Sequence, residues 1–219
     1  MIDFDVPPRI TRPWWAAGHA VLVPYVRGAL RLRVSGQENI PAEGPVLVVS
    51  NHVSELDPPT LGVSALPRKT YYMAKQELFS VPLLGRTIFR LGAFPVDRGG
   101  ADRRAIRLAR EVLDRGDLLL MFPEGTRHPD GRLRPGLPGA GSLGLVPGLT
   151  VVPAAIWGTQ RWIGPARVAF GSPIDLSDLE QGSRSRRSQV AVDRMMAGVA
   201  ALLPRVGGPH QDPPVRADG

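Results

Sequence analysis

The chain has 219 residues, 43% of them hydrophobic, a formal net charge of +7 and no cysteine. That length suits one domain with a full core, and the absence of cysteine excludes disulfides, thiolate metal sites and a thiol nucleophile. The positive charge is almost wholly arginine, since Lys69 and Lys75 are the only lysines; it suits phosphate, an acidic cofactor, anionic lipid or nucleic acid without separating them.

In chain order, the acidic opening Met1–Asp5 lacks the basic region of a signal peptide. Trp14 to Val26 is apolar and aromatic, with Arg9 and Arg12 before it and Arg27, Arg31 and Arg33 after it. It is shorter than the roughly 20 apolar residues a bilayer span requires, and His19 and Pro24 interrupt it. Tryptophans and a tyrosine beside arginines suit an amphipathic segment lying in a membrane interface; an ordinary packing helix fits the same pattern. Leu30–Val34 and Pro45–Ser50 read as strands, and Pro59–Leu66 as a short helix closed by Pro67.

Between the second strand and that helix lies Asn51-His52-Val53-Ser54-Glu55-Leu56-Asp57-Pro58-Pro59. His52 and Asp57 are wrongly spaced to meet on one helix, where partners lie three or four apart. They meet if the chain turns between them. Pro58 disfavours the helical conformation at Asp57, so Asp57 reads as a helix N-cap with Pro58 first in the helix. A histidine oriented by a carboxylate can take a proton from a hydroxyl.

Thr70–Lys75 reads as a strand, Gln76–Arg90 as a helical hairpin broken at Pro82, and Gly92–Asp97 as a strand delivering Arg98. Ala101–Arg115 has the spacing of an amphipathic helix, with an arginine face turned to solvent. Asp117–Phe122 is a near-continuous apolar strand, as expected for one buried on both faces, and it ends in Pro123-Glu124-Gly125-Thr126-Arg127. Pro129–Gly148 reads as a Gly/Pro-rich loop. Within it Gly139–Gly144 fits G-x-G-x-x-G, but it follows a loop instead of a strand, so the dinucleotide reading fails on context. Thr150–Trp157 and Ala166–Gly171 are further strands, and Gln181–Ser188 a polar loop before a last helix with Met195, Met196, Val199 and Leu203 on its apolar face. Alternating strands and helices predict an α/β single domain, with a central, largely parallel or mixed sheet of about seven strands flanked by helices. Residues 205–219 are expected to form a disordered tail.

Loops after parallel strands are where such folds place ligands. Here they carry His52 and Asp57, then Arg98, then Glu124, Gly125, Thr126 and Arg127. No nucleophile stands out, which favours direct proton removal from a substrate hydroxyl over a covalent enzyme intermediate.

These blocks resemble the glycerolipid acyltransferases. Asn51–Asp57 matches their N-H-x-x-x-x-D motif; Gly92–Arg98, Phe122–Arg127 and Val151–Ala154 look like their second, third and fourth blocks. Met73–Leu78 and Val81–Gly85 are similar to the bacterial lysophosphatidic acid acyltransferases. The resemblance covers about residues 30–172, and four ordered blocks are far more specific than one short motif. It implies an acyltransferase domain over 30–204, behind an interface segment at 1–29. His52 would be the general base, oriented by Asp57. Arg98 would hold the acceptor's phosphate, helped by Lys75 and Arg127. Glu124, Gly125 and Thr126 would shape the acceptor pocket, and Pro153 a channel. The co-substrate would be acyl-coenzyme A or an acyl-carrier protein. The acceptor would be a lysophospholipid, with no metal, no bound cofactor and no nucleic acid. The enzyme would lie peripherally on the cytoplasmic face of an anionic membrane. Where relatives often carry a lysine-containing F-K-x-G segment, this chain has Gly136-Leu137-Pro138-Gly139; another lysophospholipid or lipid alcohol therefore stays open as acceptor.

Two other classes fit parts of the sequence. A metal hydrolase could use His52, Asp57, Glu124 and His128, although zinc sites usually have tighter ligand pairs. A basic membrane- or nucleic-acid-binding module fits the charge but does not account for the ordered His–Asp turn.

Overall fold

The computed structural model describes residues 3–97, 102–179 and 181–214. Its centre is a seven-stranded sheet in the order β1-β7-β6-β2-β5-β3-β4. The strands are β1 (Arg33–Ser35), β2 (Val46–Ser50), β3 (Thr70–Lys75), β4 (Ala93–Val96), β5 (Leu118–Met121), β6 (Thr150–Trp157) and β7 (Arg167–Phe170). β6, β2, β5, β3 and β4 are mutually parallel. β7 runs antiparallel to β6, and β1 runs parallel to β7. The sheet is thus largely parallel, as the alternation of strands and helices predicts.

β2 sits at the centre, as its apolar, β-branched sequence suits. All five residues are buried, and it pairs with β5 on one side and β6 on the other. Alternate residues feed the two faces. Leu47 and Val49 pack under α4 (Arg103–Asp114), α5 (Pro138–Gly144) and α6 (Arg184–Val206), whereas Val46 and Val48 face Leu61 of α2 (Asp57–Ser64). Each such side chain contributes about 1.5–3 kcal/mol, so a charge in β2 would remove the platform on which His52 stands. On the far face α1 (Arg12–Pro24) lies beside α2, followed by a π-turn at Tyr25–Ala29. α3 (Pro82–Arg90) packs near the β4 edge.

Beyond the first strand, which spans Arg33–Ser35 and not Leu30–Val34 because Leu30 closes the π-turn and Arg31 takes φ 42°, three local expectations need correction. The stretch read as a loop contains α5, and α6 begins at Arg184, inside the expected polar loop, capped by the Ser183 hydroxyl. α5 is rich in glycine and proline, which reads as loop, yet packing selects the helix. A Cβ on Gly141 would lie 1.8 Å from the carbonyl oxygen of Ser188 in α6, so the glycine permits the two helices to touch. The third correction concerns α2, which starts at Asp57 with Leu56 as its N-cap. Asp57 caps nothing ahead of it, since Pro58 and Pro59 offer no N–H and Thr60 N donates to the Leu56 carbonyl.

The N-terminus is woven into the domain. Phe4 makes edge contacts with Phe79 and Phe89, at ring separations of 5.3 and 5.1 Å. Ile10 and Val26 are buried, and Lys69 donates to the Ile10 carbonyl. At the other end, α6 runs two residues past 204. Gln211 then bridges back, accepting from Leu133 N and donating to the Gly131 carbonyl.

Candidate active site

The loops following β2, β5 and β6 converge at the carboxyl edge of the parallel strands, the usual crevice of such sheets. Beyond Ser50 the chain leaves the sheet, and Asn51 takes up the pairing with its side chain. Its Oδ1 accepts from Ile156 N at 2.9 Å and its Nδ2 donates to the Ile156 carbonyl at 3.0 Å. This locks the start of the turn to the end of β6.

The turn then folds Asp57 back onto His52. Nδ1 of the imidazole lies 2.8 Å from Oδ2 of Asp57. The same oxygen accepts from Val53 N at 2.6 Å and Ser54 N at 2.8 Å, while Oδ1 accepts from the Thr159 hydroxyl. Asp57 is wholly buried. A carboxylate in that position is sustained by donors on every side. With Nδ1 donating to Asp57, the neutral ring presents Nε2 as an acceptor. The ring is stacked on Phe122, centroid to centroid 3.9 Å, so its plane as well as its tautomer is set.

The loop after β5 closes the other side. Glu124 accepts from His52 N at 3.1 Å and from Arg134 N at 3.0 Å. Burial pushes its carboxyl up to about 7, against the opposing pull of these N–H groups. His128 N donates to the His52 carbonyl at 2.7 Å. Its imidazole, 3.9 Å from Glu124, is held below the usual histidine range by burial and by Arg134. Gly125 turns the loop at φ 73°, where side chains are strained, and a Cβ there would press on Leu137. The N–H groups of His52, Val53 and Ser54 are all committed, so donors for a developing oxyanion must come from elsewhere.

The expected substrate-binding residues separate into different settings. Lys75, at the end of β3, is about half exposed and paired with Glu77 at 3.0 Å. Thr126 is exposed, and Arg127 pairs with Glu55, so this cation bridges the loop after β5 to the His–Asp turn. Pro153 is buried within β6, packed toward Gly171 just after β7 and toward Gly198 of α6. Arg98 lies outside the described residues. The sequence reading missed Ser54, Thr159 and Phe122 as parts of the assembly. Only the position of Thr159 just after a parallel strand hinted at it.

The donor set that suggested a metal hydrolase is spoken for: Asp57 and Glu124 accept N–H and O–H bonds. Among the described residues no three His, Asp or Glu side chains gather in a way that could hold a metal ion. Among them, too, no helix is long and apolar enough to cross a membrane.

Comparison with known proteins agrees with the fold. A family model described as acyltransferase matches residues 31–157. The chain is 32% identical over 153 residues to the 1-acyl-sn-glycerol-3-phosphate acyltransferase of Bacillus subtilis strain 168, covering 67% of this chain and 75% of that protein. It is 36% identical over 194 residues to the lyso-ornithine lipid O-acyltransferase of Pseudomonas aeruginosa, covering 86% and 70%. The crystal structure of the 1-acyl-sn-glycerophosphate acyltransferase PlsC from Thermotoga maritima superposes with a TM-score of 0.62 at 28% identity, over 88% of this chain and 84% of that one. With its motif blocks, its sheet and its His–Asp turn all in place, the chain belongs to the acyltransferase family.

Proposed function

We propose that this enzyme transfers a fatty acyl group from an acyl thioester, carried on coenzyme A or acyl-carrier protein, to the hydroxyl of lysophosphatidic acid. The observation that carries the chemistry is His52, held by a saturated, buried Asp57 and presenting Nε2. The acceptor hydroxyl gives its proton to Nε2 as its oxygen attacks the thioester carbonyl. The tetrahedral intermediate then collapses, the C–S bond breaks, and the imidazolium returns the proton to the departing thiolate. Asp57 stabilises the imidazolium between these steps. Arg98 grips the acceptor phosphate through its planar fork, with Lys75 and Arg127 at the rim. Glu124, Gly125 and Thr126 shape the acceptor side. Pro153 contributes by packing β6 against α6. No metal or bound cofactor enters the scheme.

A second acceptor class has its own support: the lyso-ornithine lipid enzyme is 36% identical over 194 residues, and this chain lacks a lysine at 136–139. The deciding experiment supplies one acyl-coenzyme A with lysophosphatidic acid, a zwitterionic lysophospholipid and lyso-ornithine lipid in turn. Free-thiol release and lipid product are both measured. Preference for lysophosphatidic acid supports the first reading. Preference for lyso-ornithine lipid replaces it.

We also place the enzyme peripherally on the cytoplasmic face of an anionic membrane, where such lipids reside. α1 has no fully buried residue; Val21, Trp162 and Ile163 are exposed, and Tyr25 ties the Trp162 loop to the α1 end. Because Phe4, Ile10 and Val26 belong to the packing, deleting the N-terminal segment would damage the fold. Trp162→Glu with Ile163→Glu is the cleaner test. Vesicle flotation should fall in that variant, and in the parent as salt rises. Unchanged flotation would remove this surface from the membrane contact.

A further inference from the structure

Thr159 stands in the turn after β6 and is fully buried. Its hydroxyl donates to Oδ1 of Asp57, 102 residues away in sequence, at 2.5 Å. Among the described residues no other donor reaches that oxygen, whereas Oδ2 takes the bonds from His52, Val53 and Ser54. The Thr159 carbonyl in turn accepts from the Ser54 hydroxyl at 2.8 Å. A closed ring results: Asp57 to the Thr159 side chain, the Thr159 carbonyl to Ser54 Oγ, and Ser54 N back to Asp57. The turn is itself anchored two residues before Gly158, where Ile156 is clamped by Asn51.

We propose that Thr159 is a positioning residue for acyl transfer, fixing the rotation of the Asp57 carboxylate and through it the aim of the His52 imidazole. The proposal rests on the reading of His52 as the general base. A carboxylate held only through Oδ2 can turn about its Cβ–Cγ bond, a soft and broad torsion. The Thr159 bond closes off that motion. Without the hydroxyl, Oδ1 would also be a buried, charged oxygen with no donor. Its unrelieved negative charge would favour the imidazolium, so the base would stay protonated to higher pH.

The test compares Thr159→Val, which removes the donor and keeps the branched shape, with Thr159→Ser, which keeps the donor. His52→Ala is assayed beside them. Thr159→Val should lower kcat roughly tenfold or more, as expected for a lost bond to a charged group, and move the acidic limb of kcat/KM to higher pH. The acceptor KM should stay within about twofold, because Thr159 is fully buried and shielded from an incoming acceptor. Thr159→Ser should restore most of the rate and the original profile. If Thr159→Val does not fold, Thr159→Ala is read by the same criteria. An inactive His52→Ala together with a donor-less variant that melts lower yet keeps the parent kcat and pH profile would make Thr159 a structural tie only, overturning the proposal. Activity retained by His52→Ala would instead overturn the base assignment beneath it.

Discussion

The two sides of the crevice are built on opposite principles. The His–Asp turn is buried, and the carboxylate at its centre receives hydrogen bonds from His52, Val53, Ser54 and Thr159. The cationic rim is open: the side chains of Lys75 and Arg127 are 52% and 40% exposed, and each is paired with one exposed glutamate. Proton transfer depends on fixed direction and protonation state, and fixed donors in a dry site deliver both. On the proposed reading, a charged headgroup would need cations that can exchange one partner for another, so the buried side would determine whether chemistry occurs and the rim what is presented to it.

The largest effect should come from breaking the buried side. His52→Ala should lower kcat by roughly 10²–10⁴-fold with the fold intact. Asp57→Asn is more discriminating than the bare motif suggests. An asparagine can keep its oxygen toward His52, Val53 and Ser54 while its amide donates to the Thr159 hydroxyl oxygen in a reversed bond, so it removes the charge while leaving a partner at each position. A large rate loss, again roughly 10²-fold or more, with little change in melting temperature is expected. Asp57→Ala should add instability, because buried N–H groups left unpaired cost about 1–3 kcal/mol each. If Asp57→Asn matched the parent in kcat, the carboxylate charge would have no part in the chemistry.

Next in size is the phosphate contact proposed for Arg98. Arg98→Lys keeps the charge but loses the fork, and should lower acceptor kcat/KM roughly 10- to 150-fold, with the acyl-donor KM little changed. Equal effects on both substrates with a lowered melting temperature would mark Arg98 as structural.

Glu124 tests the join between the two sides. Its carboxyl titrates at about 7 in the fold against roughly 4.3 when unfolded. Below the lower value it is protonated in both states. As pH rises towards 7 the unfolded chain releases this proton first, so stability falls with rising pH. Glu124→Gln removes that titration and should flatten the decline, by on the order of a few kcal/mol across the window. Urea denaturation from pH 4.5 to 7.5 measures it. Parallel curves for variant and parent would contradict a raised carboxyl.

The smallest effect belongs to the rim. Breaking the Arg127–Glu55 pair by Glu55→Ala should change stability by no more than about 1 kcal/mol, as for exposed ion pairs generally. Any consequence should appear in acceptor KM. A large fall in melting temperature would show that the rim is built as tightly as the turn.

The sequence by itself determined the strands from β2 onward and marked His52 and Asp57 as candidates for a pair. Apolar runs such as Val46–Val49 and Leu118–Met121 suit a doubly covered strand, whereas the turn that joins His52 to Asp57 lies ahead of the prolines, which sit in the first turn of α2. Those signals are local: periodicity, branching and the missing N–H of proline act within a few residues. What only the tertiary structure decided depends on partners far along the chain. α5 forms because Gly141 lets α6 come within contact, which outweighs a composition that favours loop. Asp57 turns backward to Val53 and Ser54, and its remaining oxygen is satisfied by Thr159 from another strand's end. No spacing rule links Asp57 to Thr159. They meet because β2 and β6 are parallel neighbours whose carboxyl ends open on the same crevice.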